Sequence, residues 1–231
     1  MISYQVAGSI NSAFIILSLY GIWAQLQKVW QRKQTLASGQ VTAVLSLNQF
    51  SVSFFAYWSF FVYGYSIHPF NHFIVWPRLL AALLVLLVLV EIARDRQQFT
   101  NKLVAGIAAS MLVVGLIGLL LTLYVGSGWQ DQGKLISQTL IVVITCLLAQ
   151  GYLHQIKLIV ETGTTGAVSI RMSQFILMMD CSTLVFASTM AWQNAWPLVL
   201  LATVSAITKV VIMYLFYWVR TSPAAAFKRG C

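Results

Sequence analysis

The chain has 231 residues, of which 59% are hydrophobic and only 8% are charged. A soluble domain is about a quarter charged, so this composition excludes an ordinary water-soluble globular protein. The net charge is +9, but the sequence offers no soluble domain on which basic residues could form a nucleic-acid-binding face. We therefore expect a lipid bilayer, and not nucleic acid, around this protein.

Long apolar runs divide the chain into seven predicted membrane spans. A helix needs about 20 apolar residues to cross a bilayer. Each span is predicted to be α-helical because lipid offers the backbone no hydrogen-bond partners, and the runs lack the alternation of a membrane β-strand. The predicted spans cover approximately residues 6–28, 41–65, 76–93, 102–125, 135–158, 168–190 and 197–219.

Basic residues are concentrated on one side of the predicted spans. Nearly all of them lie in the first, third and fifth loops and after the last span, whereas the other loops contain only Arg78 and Lys134. Cytoplasmic loops carry the excess of lysine and arginine. Seven spans therefore predict an N-terminus outside and a C-terminus in the cytoplasm. The short loops and the absence of a glycosylation motif favour a bacterial inner membrane.

The two halves of the chain repeat one pattern. The paired features are Gln25 and Gln155, Gln49-Phe50 and Gln174-Phe175, and Trp76-Pro77 and Trp196-Pro197. Four spans separate equivalent positions, so the halves share one orientation and form a parallel repeat. The predicted fold is an all-α membrane protein of two three-helix repeats (1–97 and 131–221), joined by a linker helix (98–130) and followed by a cytoplasmic tail (222–231).

This pattern resembles the PQ-loop superfamily, which includes the SWEET sugar transporters and the lysosomal exporters of cystine and cationic amino acids. The family signature is a Pro-Gln pair near the cytoplasmic end of the first span of each repeat, a basic stretch, and a Ser/Thr-Gly-x-Ser turn. The matching residues are Gln25, Lys28, Arg32, Lys33 and Thr35 in the first copy, and Gln155, Thr164, Thr165, Gly166 and Ser169 in the second. The resemblance implies an alternating-access transporter with both glutamines near the cytoplasmic gate.

The chain departs from the signature at the proline, which is Ala24 in one copy and His154 in the other. In the family that proline is thought to let the helix bend. Gly21 and Gly151 lie a few residues earlier and would supply the same compliance. We therefore predict Gln25, Gln155, Gly21 and Gly151 as gate and hinge residues. Sugar-carrying members also have an asparagine in each third span, which is absent here and weakens a sugar assignment.

Charged side chains occur in the middle of the sixth and seventh predicted spans. Asp180 lies near the centre of span six and Lys209 near the centre of span seven. A charge at this depth costs at least a few kcal/mol on insertion scales, so it usually faces a partner inside the bundle. We predict that Asp180 and Lys209 pair, and that the pair binds a charged or zwitterionic solute or exchanges a proton with it. One alternative is a pair that only locks two helices together, and another is that the two side chains do not meet.

Other polar and aromatic residues complete the predicted binding site. They are Trp58 and Asn48 in span two, Thr183 in span six and Ser205 in span seven. In sugar-carrying relatives an aromatic residue of the second span stacks on the substrate, and Trp58 matches that position. The alternative is that Trp58 is a packed or interfacial aromatic residue. No cofactor is predicted, and no pair of cysteines has the spacing of metal ligands. His68 and His72 are four residues apart, as in a metal site on a helix, but Pro69 between them indicates a loop and argues against metal binding.

The leading functional hypothesis is a transporter of a small polar solute such as a sugar or amino acid, with proton coupling and a homo-oligomeric state left open. One alternative is a receptor or accessory protein of the same fold that does not transport. Another is a seven-helix photoreceptor with retinal bound to Lys209. An enzyme is not expected because no group of side chains has catalytic spacing.

Overall fold

The computed structural model describes residues 2–34, 41–42, 45–125, 130–165 and 170–228. Over these ranges the chain forms helices and no strand. The helices are α1 (Ile2–Arg32), α2 (Leu47–Ser66), α3 (His72–Arg96), α4 (Phe99–Val125), α5 (Gln130–Thr162), α6 (Ile170–Ser188), α7 (Trp192–Thr221) and α8 (Pro223–Lys228). The protein is therefore all-α across the part of the chain that is described.

Five of these helices, α1, α3, α4, α5 and α7, are long and apolar enough to cross a membrane. The apolar part of α6 that the structure describes, Ser173–Ser188, is shorter. Large apolar side chains such as Leu17, Val114 and Val210 are exposed along the long helices. Exposure of so much apolar surface indicates contact with lipid.

Each predicted span overlaps one of the seven long helices, but the second begins later than expected. It was predicted from residue 41, whereas α2 begins at Leu47. The reason is a helix cap: the Ser46 hydroxyl accepts a hydrogen bond from the backbone N–H of Gln49 at 3.3 Å, which satisfies one of the free donors of the first turn. Thr42 lies before the helix, where its backbone and hydroxyl both donate to the Asp95 carboxylate.

The structure divides into two compact units. Unit A is Ser12–Ile141, and unit B combines Met1–Asn11 with Val142–Cys231. Both divisions fall inside a helix, one in α1 and one in α5. The two division points lie 130 positions apart, as do Gln25 and Gln155.

The core of unit A is formed by α2, α3 and α4. Phe54 and Phe61 of α2 pack in one buried cluster with Leu89 of α3 and Leu112 of α4. The close approach of α4 to α2 depends on a glycine, because a Cβ atom at Gly115 would lie 2.8 Å from the indole nitrogen of Trp58 and 3.0 Å from the Phe61 ring. The fourth helix thus packs with the second and third helices of the chain.

Unit B is built on the α6–α7 pair, with the first residues of α1 and the second part of α5. The ring of Tyr4 in α1 lies 5.4 Å from that of Phe186 in α6. At the end of α5, Gly163 has a left-handed φ of 65° and its N–H donates to the carbonyl of Ile159. Such a glycine is a common helix C-cap. The short helix α8 packs on this end of α5, where Lys228 donates to the Val160 carbonyl at 2.7 Å.

Helices α3 and α7 bury the same face when they are aligned with an offset of 120 residues. The positions buried in both helices are Val75 and Ala195, Pro77 and Pro197, Arg78 and Leu198, Ala82 and Ala202, Val85 and Ser205, Val88 and Thr208, Leu89 and Lys209, Ile92 and Ile212, and Asp95 and Leu215. The Trp-Pro pairs of the sequence have this same offset. The two helices therefore use equivalent surfaces, although the side chains on those surfaces differ in chemistry.

Candidate functional site

The most unusual group of side chains in unit B is a buried set of charges on α6 and α7. Asp180 of α6 is 3% exposed and Lys209 of α7 is 7% exposed. The Asp180 carboxylate attracts the Lys209 ammonium electrostatically, and direct pairing of the two side chains stays a prediction. Opposite charges at this depth reduce each other's desolvation cost. Their role in binding a solute stays a prediction.

Tyr152 of α5 adds an aromatic ring to this pair. The Lys209 ammonium lies 4.1 Å from the centroid of the Tyr152 ring. The negative face of an aromatic ring attracts a cation by about 0.5–2 kcal/mol, and more strongly where water is excluded. Tyr152 is thus a third member of the site, and we call Asp180, Lys209 and Tyr152 the charged triad.

Sequence reasoning missed Tyr152. The available signal was that Tyr152 is the only phenylalanine, tyrosine or tryptophan in the whole of α5. Its position in the chain could not show that its ring faces Lys209, because the rotation of α5 about its axis is set by packing against other helices and not by a local motif.

A second polar group lies one turn along α6 from Asp180. The side-chain oxygen of Asn11 in α1 accepts hydrogen bonds from the hydroxyls of Thr183 at 2.9 Å and Ser182 at 3.1 Å. Asn11 is 1% exposed. Asp180 and Thr183 are three residues apart and therefore lie on the same side of the helix. The predicted site residue Thr183 therefore contacts Asn11 of α1, and along α6 it lies one turn from Asp180 of the charged triad.

Ser205 lies on the face of α7 that carries Lys209, one helical turn earlier. Its side chain is 9% exposed, and its backbone carbonyl accepts a hydrogen bond from the Thr208 hydroxyl at 2.7 Å. The buried face of α7 is therefore polar over more than one turn, through Ser205, Thr208 and Lys209.

Trp58 and Asn48 belong to unit A, unlike the charged triad. The Trp58 indole N–H donates to the backbone carbonyl of Met111 in α4 at 2.7 Å, and the side chain is buried. Asn48 is exposed and lies in the first turn of α2. The contact with α4 favours a packing role for Trp58, and its role in substrate stacking stays a prediction.

The predicted gate and hinge residues lie within continuous helices. Gln25 is exposed in α1 and Gln155 is partly buried in α5. A Cβ atom added at Gly21 or Gly151 would meet no atom within 4 Å, so close packing does not require glycine at either position. Local backbone compliance is the remaining physical property that glycine contributes there. Thr35, Gly166 and Ser169 of the sequence motif lie outside the described residues.

The chain matches no protein-family model and no curated protein. The resemblance to the PQ-loop superfamily therefore rests on the motif residues and the internal repeat. Membership of that family stays a prediction.

Proposed function

We propose that the protein is an alternating-access transporter of a small polar solute, and that the charged triad Asp180, Lys209 and Tyr152 is part of its solute site. In this proposal the seven long helices cross the membrane as two parallel three-helix repeats, with α4 as the linker. The N-terminus lies outside and the C-terminus lies in the cytoplasm of a bacterial cell.

The shared buried face of α3 and α7 supports the repeat, and the polar residues that α7 buries where α3 buries aliphatic side chains support the site. The charges that α3 buries, Arg78, Glu91 and Asp95, lie towards the ends of that helix. Val85, Val88 and Leu89 of α3 are buried where α7 has Ser205, Thr208 and Lys209. Apolar side chains are therefore sufficient to pack these three positions of the face. A buried ion pair contributes little net stability compared with apolar residues of similar volume. The polar residues of α7 are better explained by a ligand than by folding.

The chemistry of the charged triad suits a solute that carries charge or many hydrogen-bonding groups. Lys209 can bind a carboxylate, and Asp180 can bind an ammonium or hydroxyl group. The ring of Tyr152 offers a face to a cation. A zwitterionic solute would use both charges at once, whereas a neutral polar solute would form hydrogen bonds to the same atoms.

Helix α5 would connect this site to the motion that transport requires. Tyr152 follows Gly151 directly and precedes Gln155 by three residues. Bending of α5 at Gly151 would move the aromatic ring relative to Lys209. The site and the predicted hinge would therefore change together, as alternating access demands.

The test is solute uptake by proteoliposomes that contain the purified full chain, with a panel of radiolabelled amino acids and sugars at several pH values. Asp180→Asn and Lys209→Met should each reduce uptake at least tenfold, while size-exclusion chromatography still gives a single folded species. The matched control is Lys157→Met with Glu161→Gln, which removes an exposed ion pair of α5 with a 3.8 Å separation. Wild-type uptake in both triad variants would contradict the proposal.

The two other hypotheses predict different results in the same preparation. A receptor or accessory protein would bind a solute without uptake. A photoreceptor would develop a visible absorption band on addition of retinal, through a Schiff base at Lys209, and that band would be lost in Lys209→Met. The transport proposal predicts uptake and no such band.

A further inference from the structure

A recess lies in unit A where the chain turns from α3 into α4, far in sequence from the charged triad. Its volume is about 400 Å³, and it is lined by Val90, Ala93, Arg94, Gln97, Lys102 and Ala105. Three of these residues are apolar, one is an amide and two are cations. The recess therefore combines an apolar surface with positive charge.

The position of the recess is that of a membrane–water boundary. Helix α3 ends at Arg96 and α4 begins at Phe99, and both helices are among the five that can cross a membrane. Phe99 lies between the recess residues Gln97 and Lys102 in the sequence, and its side chain is 79% exposed. Aromatic residues are common at the level of the lipid headgroups. The basic residues of this turn belong to the side that is predicted to face the cytoplasm.

Arg94 lines this recess, whereas the guanidinium of Arg96 is engaged in hydrogen bonds elsewhere. The Arg96 guanidinium donates to the backbone carbonyls of Thr42 and Leu45. Arg94 lies 4.0 Å from a carboxylate oxygen of Glu91, and Glu91 also contacts Lys33 and the indole of Trp30. Arg94 has an exposed side chain, as does Lys102.

We propose that this recess binds the headgroup of an anionic phospholipid, with Arg94 and Lys102 on its phosphate. A guanidinium and an ammonium both bind phosphate oxygens well. The apolar residues Val90, Ala93 and Ala105 would contact the start of the acyl chains. This apolar wall is the reason that a phospholipid fits better than a free phosphate ion. The lipid site does not depend on the proposed transport activity.

The proposal is tested by native mass spectrometry of the delipidated full chain with phosphatidylglycerol or phosphatidylcholine added in detergent. The wild type should retain phosphatidylglycerol in preference to phosphatidylcholine. The double variant Arg94→Gln/Lys102→Gln should bind phosphatidylglycerol about 25-fold more weakly, because each basic residue at a membrane surface contributes about a fivefold change in affinity. Arg94→Lys/Lys102→Arg should keep the binding, which separates loss of charge from loss of folding.

The control is Lys28→Gln/Arg220→Gln, which removes the same charge from two exposed positions on the same predicted side of the membrane. This variant should bind phosphatidylglycerol like the wild type. Equal loss in the two double variants would overturn the proposal, since general surface charge would then account for binding. Competition by soluble glycerol phosphate as strong as that by the lipid would also overturn it, because the site would then bind a free anion.

Discussion

Helices α3 and α7 bury equivalent faces, but they fill those faces with different side chains. In α3 the inner face carries Val85, Val88 and Leu89, whereas in α7 the same positions are Ser205, Thr208 and Lys209. The comparison indicates that the packing of a three-helix unit and the chemistry of a site make separate demands on the sequence. At these three positions, α3 meets only the demand of packing.

The second helices of the two units differ in the same direction. Trp58 of α2 and Thr183 of α6 are both buried and lie 125 positions apart, like the Gln-Phe pairs. Trp58 donates to the carbonyl of Met111 in α4, whereas Thr183 donates to the side chain of Asn11 in α1. In unit A a large aromatic residue, Trp58, packs against α4. In unit B the equivalent residue is the small and polar Thr183, on the face of α6 that also carries Asp180.

The strongest way to break this comparison is to place a charge at one of the three apolar positions of α3. We expect Leu89→Lys to lower the free energy of unfolding by about 3 kcal/mol or more, because a buried cation without a designed partner is costly. The control Leu89→Met conserves volume and should cost less than about 1.5 kcal/mol. Thermal unfolding of the two purified variants measures the difference. Equal stability would mean that the α3 face is not sealed from water or charge.

Single substitutions of the charged residues of the triad should lower the stability of unit B. If Asp180 pairs with Lys209 as predicted, Lys209→Met removes the cation from a buried carboxylate, a change that typically costs about 3–5 kcal/mol. The double variant Asp180→Asn/Lys209→Met should recover much of this stability. Thermal unfolding of the two variants in the same detergent gives the comparison. A double variant that is less stable than Lys209→Met would show that the two charges do not compensate each other.

The ends of α1 and α5 offer a further contrast. In unit A, Lys33 and Trp30 at the end of α1 both contact Glu91 of α3. In unit B, the equivalent turn has Gly163, where a Cβ atom would lie 2.5 Å from the carbonyl oxygen of Ala225. We expect Gly163→Ala to destabilise the protein by about 2 kcal/mol, because both the positive φ and the contact with α8 disfavour a side chain.

Gly151→Ala is the matched control for Gly163→Ala, since its Cβ atom would meet nothing within 4 Å. Alanine in a helix interior should raise the free energy of unfolding by up to about 1 kcal/mol. If Gly151 is a hinge, this more stable variant should take up solute more slowly than the wild type. Faster or unchanged uptake would argue against a hinge at this position.

The smallest expected effect concerns Tyr152. Tyr152→Leu removes the aromatic face from Lys209 and should reduce solute affinity by about threefold to tenfold, whereas Tyr152→Phe keeps the ring and should retain most of the affinity. The concentration dependence of uptake measures this. If Tyr152→Leu and Tyr152→Phe behave alike, the cation–ring contact has no part in solute binding.

The sequence was sufficient to predict the helices and to identify Asp180 and Lys209, because long apolar runs and rare intramembrane charges are strong local signals. It was insufficient for Tyr152 and for the contact of Trp58 with Met111. Those depend on how each helix is rotated and on how closely α4 approaches α2 at Gly115, which are properties of packing. The start of α2 could have been predicted from the sequence but was not. Ser46 lies three residues before Gln49, which is a capping pattern, but the predicted span followed the apolar run and began at residue 41.

The most direct test of the central claim is solute uptake by the double variant Asp180→Asn/Lys209→Met in proteoliposomes. This variant removes both buried charges together, so it leaves no uncompensated charge to unfold unit B. The transport account predicts a folded protein whose uptake of every solute carried by the wild type is lost. Uptake at the wild-type rate would contradict it and leave the pair with a structural role.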